Sequence, residues 1–356
     1  MTDKIKVGVL MGGMSTEHDV SLVSGTSVIK HLDKEKYDIF PIYIDKEGKW
    51  FKYTKSINEI DVIKIGEELL EIERIDNIPN YLKKLDLVFP VLHGLYGEDG
   101  TIQGLLELLK VKYIGSKVLG SSISMDKAYT KALLKTAKIP QAEYIYVKKE
   151  KNNRYICIDE NFDEVVYEIE KICEFAEKKL GYPIFVKPSN SGSSVGINKA
   201  NNKEELIKNI KYAEKFDNKI LLEECIIGRE LECAVLERDG IIASGVGEII
   251  PSDDFYTFDA KYKDTGSKIV VPAQIEKEIT EKIKEIAIKV FKTVDSKGLA
   301  RIDFFIRNND NQILVNEINT MPGFTNISMY PMLWGQEGIK YNELLDILIE
   351  NEMMDK

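Results

Sequence analysis

Two groups of residues in this chain have the types and spacing to do chemistry. In the first, Lys187 ends the apolar run Phe185-Val186-Lys187 and opens the segment Pro188-Ser189-Asn190-Ser191-Gly192-Ser193-Ser194-Val195-Gly196. A loop of small residues offers many N–H and hydroxyl donors with little bulk, which suits a cover over ATP phosphates. No G-K-[ST] closes it, so it is not a Walker A loop. Read only as a Ser/Gly turn, it would leave unexplained a cation placed where a strand should be buried, since a buried cation needs an anion. In the second group, Arg301 and Asp303 lie two apart in Leu299-Ala300-Arg301-Ile302-Asp303-Phe304, and Glu317 and Asn319 lie two apart in Leu314-Val315-Asn316-Glu317-Ile318-Asn319. Strand periodicity puts each pair on one face, with Ile302 and Phe304 turned to the core. Three oxygen-bearing side chains on neighbouring strands are hard ligands of the kind Mg²⁺ takes, with positions left for phosphate oxygens. The plainer alternative is a pair of polar faces washed by solvent.

These residues need elements to position them. The first third of the chain reads as a strand over 4–11, a helix over 15–32, strands over 39–44 and 85–92, and a helix from about Thr101. That β-α-β order predicts an open parallel sheet, with ligands off the carboxyl ends of its strands. Two polar residues fall there, Glu17 and His93. Taken alone, Glu17 reads first as a first-turn acid on a helix dipole, and His93 equally as a loop histidine bonded to backbone. Gly12-Gly13 lacks the G-x-G-x-x-G spacing of a dinucleotide site. A second unit opens near Ser121, with a helix over 125–137 and strands over 142–147 and 183–187 framing a charged helical region over 162–180. A third begins near Ile220, with strands over 220–222, 230–236, 241–250, 300–306 and 312–318 and a helix over 276–294. This pattern predicts an antiparallel α+β unit. The expected division is 1–120, 121–222 and 223–356, without repeats or a low-complexity linker.

A chain of 356 residues exceeds what one core organises. Its net charge of −10 argues against a nucleic-acid surface. The cysteines at 157, 173, 225 and 233 form no C-x-x-C pair, so reduced, packed thiols are expected. The apolar stretch at the N-terminus ends at Gly12-Gly13, too short for a signal peptide or a membrane span, which points to the cytoplasm.

In order along the chain, Gly12-Gly13-x-Ser15-x-Glu17, Val91-Leu92-His93-Gly94, Lys127, Lys187-Pro188 with Gly192 to Gly196, Glu223-Glu224, Ala260-Lys261-Tyr262, Arg301-Ile302-Asp303 and Asn316 to Gly323 resemble the D-alanine:D-alanine ligase family of the ATP-grasp superfamily. The likeness spans essentially the whole chain. The ATP-grasp parts are shared with many carboxylate-amine ligases, whereas the Glu17, His93 and Tyr262 segments are specific to the family. It implies a Rossmann-like N-terminal domain followed by a two-domain ATP-grasp unit, ATP as substrate, two Mg²⁺ or Mn²⁺ ions and a homodimer.

Carried over residue by residue, the resemblance implies that Lys127, Lys187 and the loop with Gly192, Ser193, Ser194 and Gly196 hold ATP. Glu223, the backbone at Glu224 and Ile226, and Glu230 would meet the nucleoside, and Lys261 the transferred phosphate. Asp303, Glu317 and Asn319 would hold the metals. Glu17, supported by Ser193 and Tyr262, would take the first D-alanine's ammonium, with His93 beside its carboxylate. Arg301, Gly323, Ser328 and Met329 would surround the second D-alanine, with Tyr256 also among the substrate-binding residues.

The implied reaction moves the γ-phosphate of ATP onto the first D-alanine, and the amine of the second attacks that acyl phosphate. D-Serine or D-lactate as second substrate keeps the mechanism, although Tyr262 and Ser328-Met329-Tyr330 resemble the dipeptide-forming branch. A nucleotide-binding oxidoreductase would need the glycine fingerprint absent here, and a non-catalytic scaffold would not need the charged site residues.

Overall fold

A computed structural model of the protein describes residues 4–67, 69–152, 154–159, 162–192, 195–251, 268–325 and 327–354. Strand β1 (Ile5–Gly12) is apolar on both faces and buried along most of its length, as befits a parallel strand covered on both sides. It pairs in parallel with β2 (Tyr37–Ile44) and β5 (Leu87–Pro90). Helix α1 (His18–His31) crosses between β1 and β2 and packs so closely that a Cβ at Gly25 would collide with Met11. Strands β3 (Trp50–Tyr53) and β4 (Ile72–Arg74) extend the sheet in the order β4-β3-β2-β1-β5. Both pair antiparallel, so the expected parallel sheet is mixed at this edge. A tight turn is the cause: Asp45 accepts from the N–H groups of Glu47 and Lys49, and Gly48 takes φ +80°, which reverses the chain at once. Helices α2 (Ile78–Leu82) and α3 (Thr101–Leu109) complete this unit.

Helices α4 (Val118–Met125) and α5 (Lys127–Thr136) lead into the second sheet. The helix expected over 125–137 starts at Lys127 because the Asp126 side chain caps it, accepting from Ala128 and Tyr129 N–H. Strands β6 (Tyr144–Lys149), β7 (Tyr155–Ile158), β8 (Glu164–Val166), β9 (Ile184–Pro188), β10 (Asn198–Ala200) and β11 (Lys219–Glu224) form an antiparallel sheet in the order β10-β9-β11-β6-β7-β8. Helices α6 (Ile169–Leu180) and α7 (Lys203–Ala213) share a core with Val147, Val186 and Ile220. Two expectations shift here. The helix expected from 162 starts at Ile169, and the short strand β8 precedes it. The strand expected at 220–222 in the third unit lies in the second sheet, paired with β6 and β9, since alternation alone does not say which sheet a strand joins.

Strands β12 (Gly228–Glu237), β13 (Ile241–Ile250), β14 (Lys268–Val270), β15 (Leu299–Arg307) and β16 (Ile313–Asn319) form the third sheet, antiparallel, in the order β14-β13-β12-β15-β16. Helix α8 (Lys277–Thr293) covers one face through Ile283, Ala287, Val290 and Phe291. Helix α9 (Met329–Gln336) packs against β12 and β13. Helix α10 (Tyr341–Met354) returns to the first unit, where Leu344, Leu345 and Leu348 join the core of Val7, Val9 and Leu22. Asp346 fastens it, taking the Tyr37 hydroxyl at 2.8 Å and the Lys36 ammonium at 2.6 Å. Among the described residues, no helix is long and apolar enough to cross a membrane. The four cysteines are free thiols, and burial pushes Cys157 and Cys233 up to about 12.

Candidate active site

Two cavities open where the three sheets face one another, and they adjoin at Lys127, Ser191, Gly192, Glu232 and Glu317. The larger, about 660 Å³, is lined by Glu17, His93, Arg301, Gly323, Ser328 and Met329. The second, about 480 Å³, is lined by Lys187, Glu223, Glu224, Ile226, Glu230 and Asp303. The expected substrate residues that can be located therefore share one chamber, and the expected nucleotide residues Lys187, Gly192, Glu223, Glu224, Ile226 and Glu230 share the next, while Gly196 lines neither.

Glu17 stands at the start of α1, buried, with its backbone N–H on Ser15 Oγ at 3.1 Å. Ser15 Oγ in turn donates to the His93 carbonyl at 2.6 Å, which ties the loop after β1 to the loop after β5. The Glu17 carboxylate is wedged between Gly94 and Gly192, and a Cβ on either would strike Oε2. Glycine is needed at both places for that approach.

His93 is fully enclosed. Its Nδ1–H donates to the Met321 carbonyl at 3.0 Å, leaving Nε2 to accept from the Ser24 hydroxyl at 3.0 Å, and Ser24 Oγ accepts from the Phe324 N–H at 3.3 Å. Burial pushes its pKa down to about 4, so the ring is neutral and acts as a fixed brace.

On the floor, Arg301 forks onto Asp303 with bonds of 2.7 and 2.8 Å and also meets Glu232 at 3.0 Å. Burial works against the guanidinium, but Asp303 and Glu232 outweigh it and hold it firmly charged. Asp303 faces Glu317 in register across β15 and β16, and the Asn319 amide donates to Asp303 at 3.1 Å. Lys127, the first residue of α5, reaches Glu317 at 3.5 Å and the Ser191 carbonyl at 2.8 Å. Among the described residues, no group of three His, Cys, Asp or Glu side chains could itself hold a metal ion. Asp303, Glu317 and Asn319 instead make a set of two carboxylates and an amide. Such a set fits Mg²⁺, which keeps several positions for water and phosphate oxygens.

In the second cavity the buried Lys187 does have an anion, the Glu223 carboxylate, which also pairs with Lys131. Burial raises Glu223, but the two lysines outweigh it and hold the carboxyl below its usual range. Lys131 went unnoticed in the sequence. Its signal is position, one helical turn beyond Lys127 on the same face of α5. Glu224 turns its side chain to the Glu143 N–H at 2.8 Å and spends its own N–H on the Glu143 carbonyl. Its backbone offers a nucleoside only a carbonyl.

The approach to the glycine loop is pinned by Asp126, which accepts from Ser189 Oγ at 2.7 Å and pairs with Lys219 at 2.5 Å, while the Asn190 N–H donates to Asp217 at 2.9 Å. Opposite, Ser328 accepts from the Thr325 N–H at 3.0 Å, and a Cβ at Gly323 would crowd Ser328 Oγ. Ser193, Ser194, Tyr256, Lys261 and Tyr262 lie outside the described residues.

A mixed N-terminal sheet, two antiparallel sheets facing each other across paired cavities and a glycine loop at their junction define an ATP-grasp enzyme. Family models described as D-ala D-ala ligase N-terminus and D-ala D-ala ligase C-terminus match residues 6–116 and 133–350. The chain belongs to the D-alanine–D-alanine ligase family, whose members are ATP-dependent ligases that form a peptide bond. It is 47% identical to the D-alanine--D-alanine ligase of Clostridium acetobutylicum, over 98% of this chain and 97% of the relative. Among solved structures, the D-alanine-D-alanine ligase from Coxiella burnetii aligns with TM-score 0.80 and 32% identity, covering 99% of this chain and 94% of the other. The VanG D-Ala:D-Ser ligase from Enterococcus faecalis aligns with TM-score 0.83 and 35% identity, covering 98% and 100%.

Proposed function

We propose that this chain joins two D-alanine molecules into D-alanyl-D-alanine, a peptidoglycan precursor, with cleavage of ATP to ADP and phosphate. The observation that carries the reading is the meeting of the two cavities at Lys127, Gly192 and Glu317, which lets a nucleotide in one present its γ-phosphate to an amino acid in the other. Glu17 takes the ammonium of the first D-alanine. Lys127 and Lys187 offset phosphate charge as the γ-phosphoryl passes to that molecule's carboxylate, forming an acyl phosphate. The amine of the second D-alanine attacks the acyl carbon, phosphate leaves, and Arg301 with the Gly323 N–H stabilises the oxyanion. Asp303, Glu317 and Asn319 would hold two Mg²⁺ or Mn²⁺ ions, which when bound neutralise charge on the transferring phosphate.

Glu223, Glu224, Ile226 and Glu230 are assigned to the nucleoside, with Gly196, Ser193 and Ser194 in the covering loop. Lys261, Tyr256 and Tyr262 are assigned from the family resemblance alone. We place the working units at 1–120, 121–222 and 223–356 and the enzyme in the cytoplasm. A homodimer through the first unit is supported by Leu108 and Leu119 on α3 and α4, which are 86% and 57% exposed.

D-Serine as second substrate is the other reading, favoured by the VanG likeness; the higher identity to the Clostridium acetobutylicum enzyme favours the dipeptide of D-alanine. The test is incubation with ATP, Mg²⁺ and each of D-alanine, D-serine, D-lactate and L-alanine, with products identified by mass. D-Alanyl-D-alanine should dominate, and equal ATP turnover with L-alanine would refute the assignment.

A further inference from the structure

Two loops from different sheets meet over a carboxylate that the reaction scheme above leaves without a task. Glu98, in the loop after β5, accepts the Gly94 N–H on Oε2 at 2.8 Å and the Met321 N–H on Oε1 at 3.0 Å. His93 grips the other side of Met321 through its carbonyl, so both polar backbone groups of that residue are held from the first unit. Met321 stands two residues before Gly323 and begins the turn that carries Gly323 and Ser328. Glu98 also lines the larger cavity beside Glu17, whose charge acts directly on it.

We propose that Glu98 is a positioning residue that couples occupancy of the first amino-acid subsite, at Glu17, to the geometry of the second, at Gly323 and Ser328. The charged groups facing it are Glu17 and Arg301, and His93 is neutral. Burial, then Glu17, push the Glu98 carboxyl up to about 8, while the two N–H donors and Arg301 pull the other way. An ammonium arriving at Glu17 cancels the repulsion and favours ionised Glu98. An ionised acceptor holds both N–H groups more strongly than a neutral one. The turn bearing the second subsite is then set when the first is filled, before an acyl phosphate exists to be lost to water.

The inference rests on the dipeptide reading and is tested with Glu98→Gln and Glu98→Asp. Glutamine offers one oxygen and one NH₂ to two N–H donors, so one of them faces another donor. Expected for Glu98→Gln is a rise of about tenfold or more in the KM of the second D-alanine, with the KM values of the first D-alanine and of ATP within about twofold of the parent. The ratio of dipeptide made to ADP released should also fall. Aspartate keeps the charge but reaches one donor, and should lie between. A Glu98→Gln enzyme with the parent's KM split and product ratio overturns the inference. So does a uniform loss of kcat with a lowered melting temperature and an unchanged split in either variant, the mark of a merely structural residue. A parent that makes no dipeptide overturns the activity reading, and this inference with it.

Discussion

At the scale of single residues, charge decides most of what the site does. Glu317 faces Asp303 and pairs with Lys127, where the two cavities join. Glu317→Gln keeps the shape and removes the charge, so turnover should fall on the order of a hundredfold or more while the KM for D-alanine changes little. Steady-state kinetics at saturating Mg²⁺ checks this, and a near-normal rate would refute the metal assignment. His93 gives a pH prediction. An unfolded histidine titrates near 6.5 and this one near 4, so the unfolded chain takes up more protons between those values. The stability from neutral His93 is complete above about 6.5 and drains away as pH falls toward about 4, by about 3 kcal/mol in total. Denaturation midpoints measured across that range should show a shallower acid loss in His93→Gln than in the parent.

At the scale of elements, the site depends on how strands and helices end. Asp126 caps α5 and also holds Ser189 and Lys219, so a single side chain sets both Lys127 and the start of the glycine loop. Asp126→Ala should cost about 1 kcal/mol for the cap alone and more for the stranded Lys219. The KM for ATP should rise several-fold, read from melting curves and nucleotide titration. Much of this level was legible from pattern. The alternation through Arg301 and Asp303, and through Glu317 and Asn319, placed those side chains on one face, and the strands pair as that requires. The lysine at 187 demanded an anion. That Glu223 supplies it, with Lys131 on its other side, was hidden because β9, β11 and α5 are far apart in sequence. Glu98 was hidden for the same reason, since its partner Met321 lies in the loop after another sheet. Short strands such as the edge strands β4 and β8 carry too few residues for periodicity to register.

At the scale of the whole molecule, the exposed leucines of α3 and α4 bear on assembly. If they form the dimer contact, Leu108→Lys with Leu119→Lys should shift the protein to a monomer in sedimentation while the melting temperature changes little, because neither side chain contributes to the monomer core. A dimer that survives both charges would place the contact elsewhere.

Helix α10 packs on α1 and shares one core with the opening strands, Leu344, Leu345 and Leu348 in the same cluster as Val7, Val9 and Leu22, and Asp346 binds Tyr37. A nascent chain leaving the ribosome therefore carries the core of its first unit incomplete throughout synthesis of the other two sheets, and completes it only when α10 emerges. The first unit begins before the other two and is completed only after both. A chaperone that shields exposed apolar strands would have its longest engagement there.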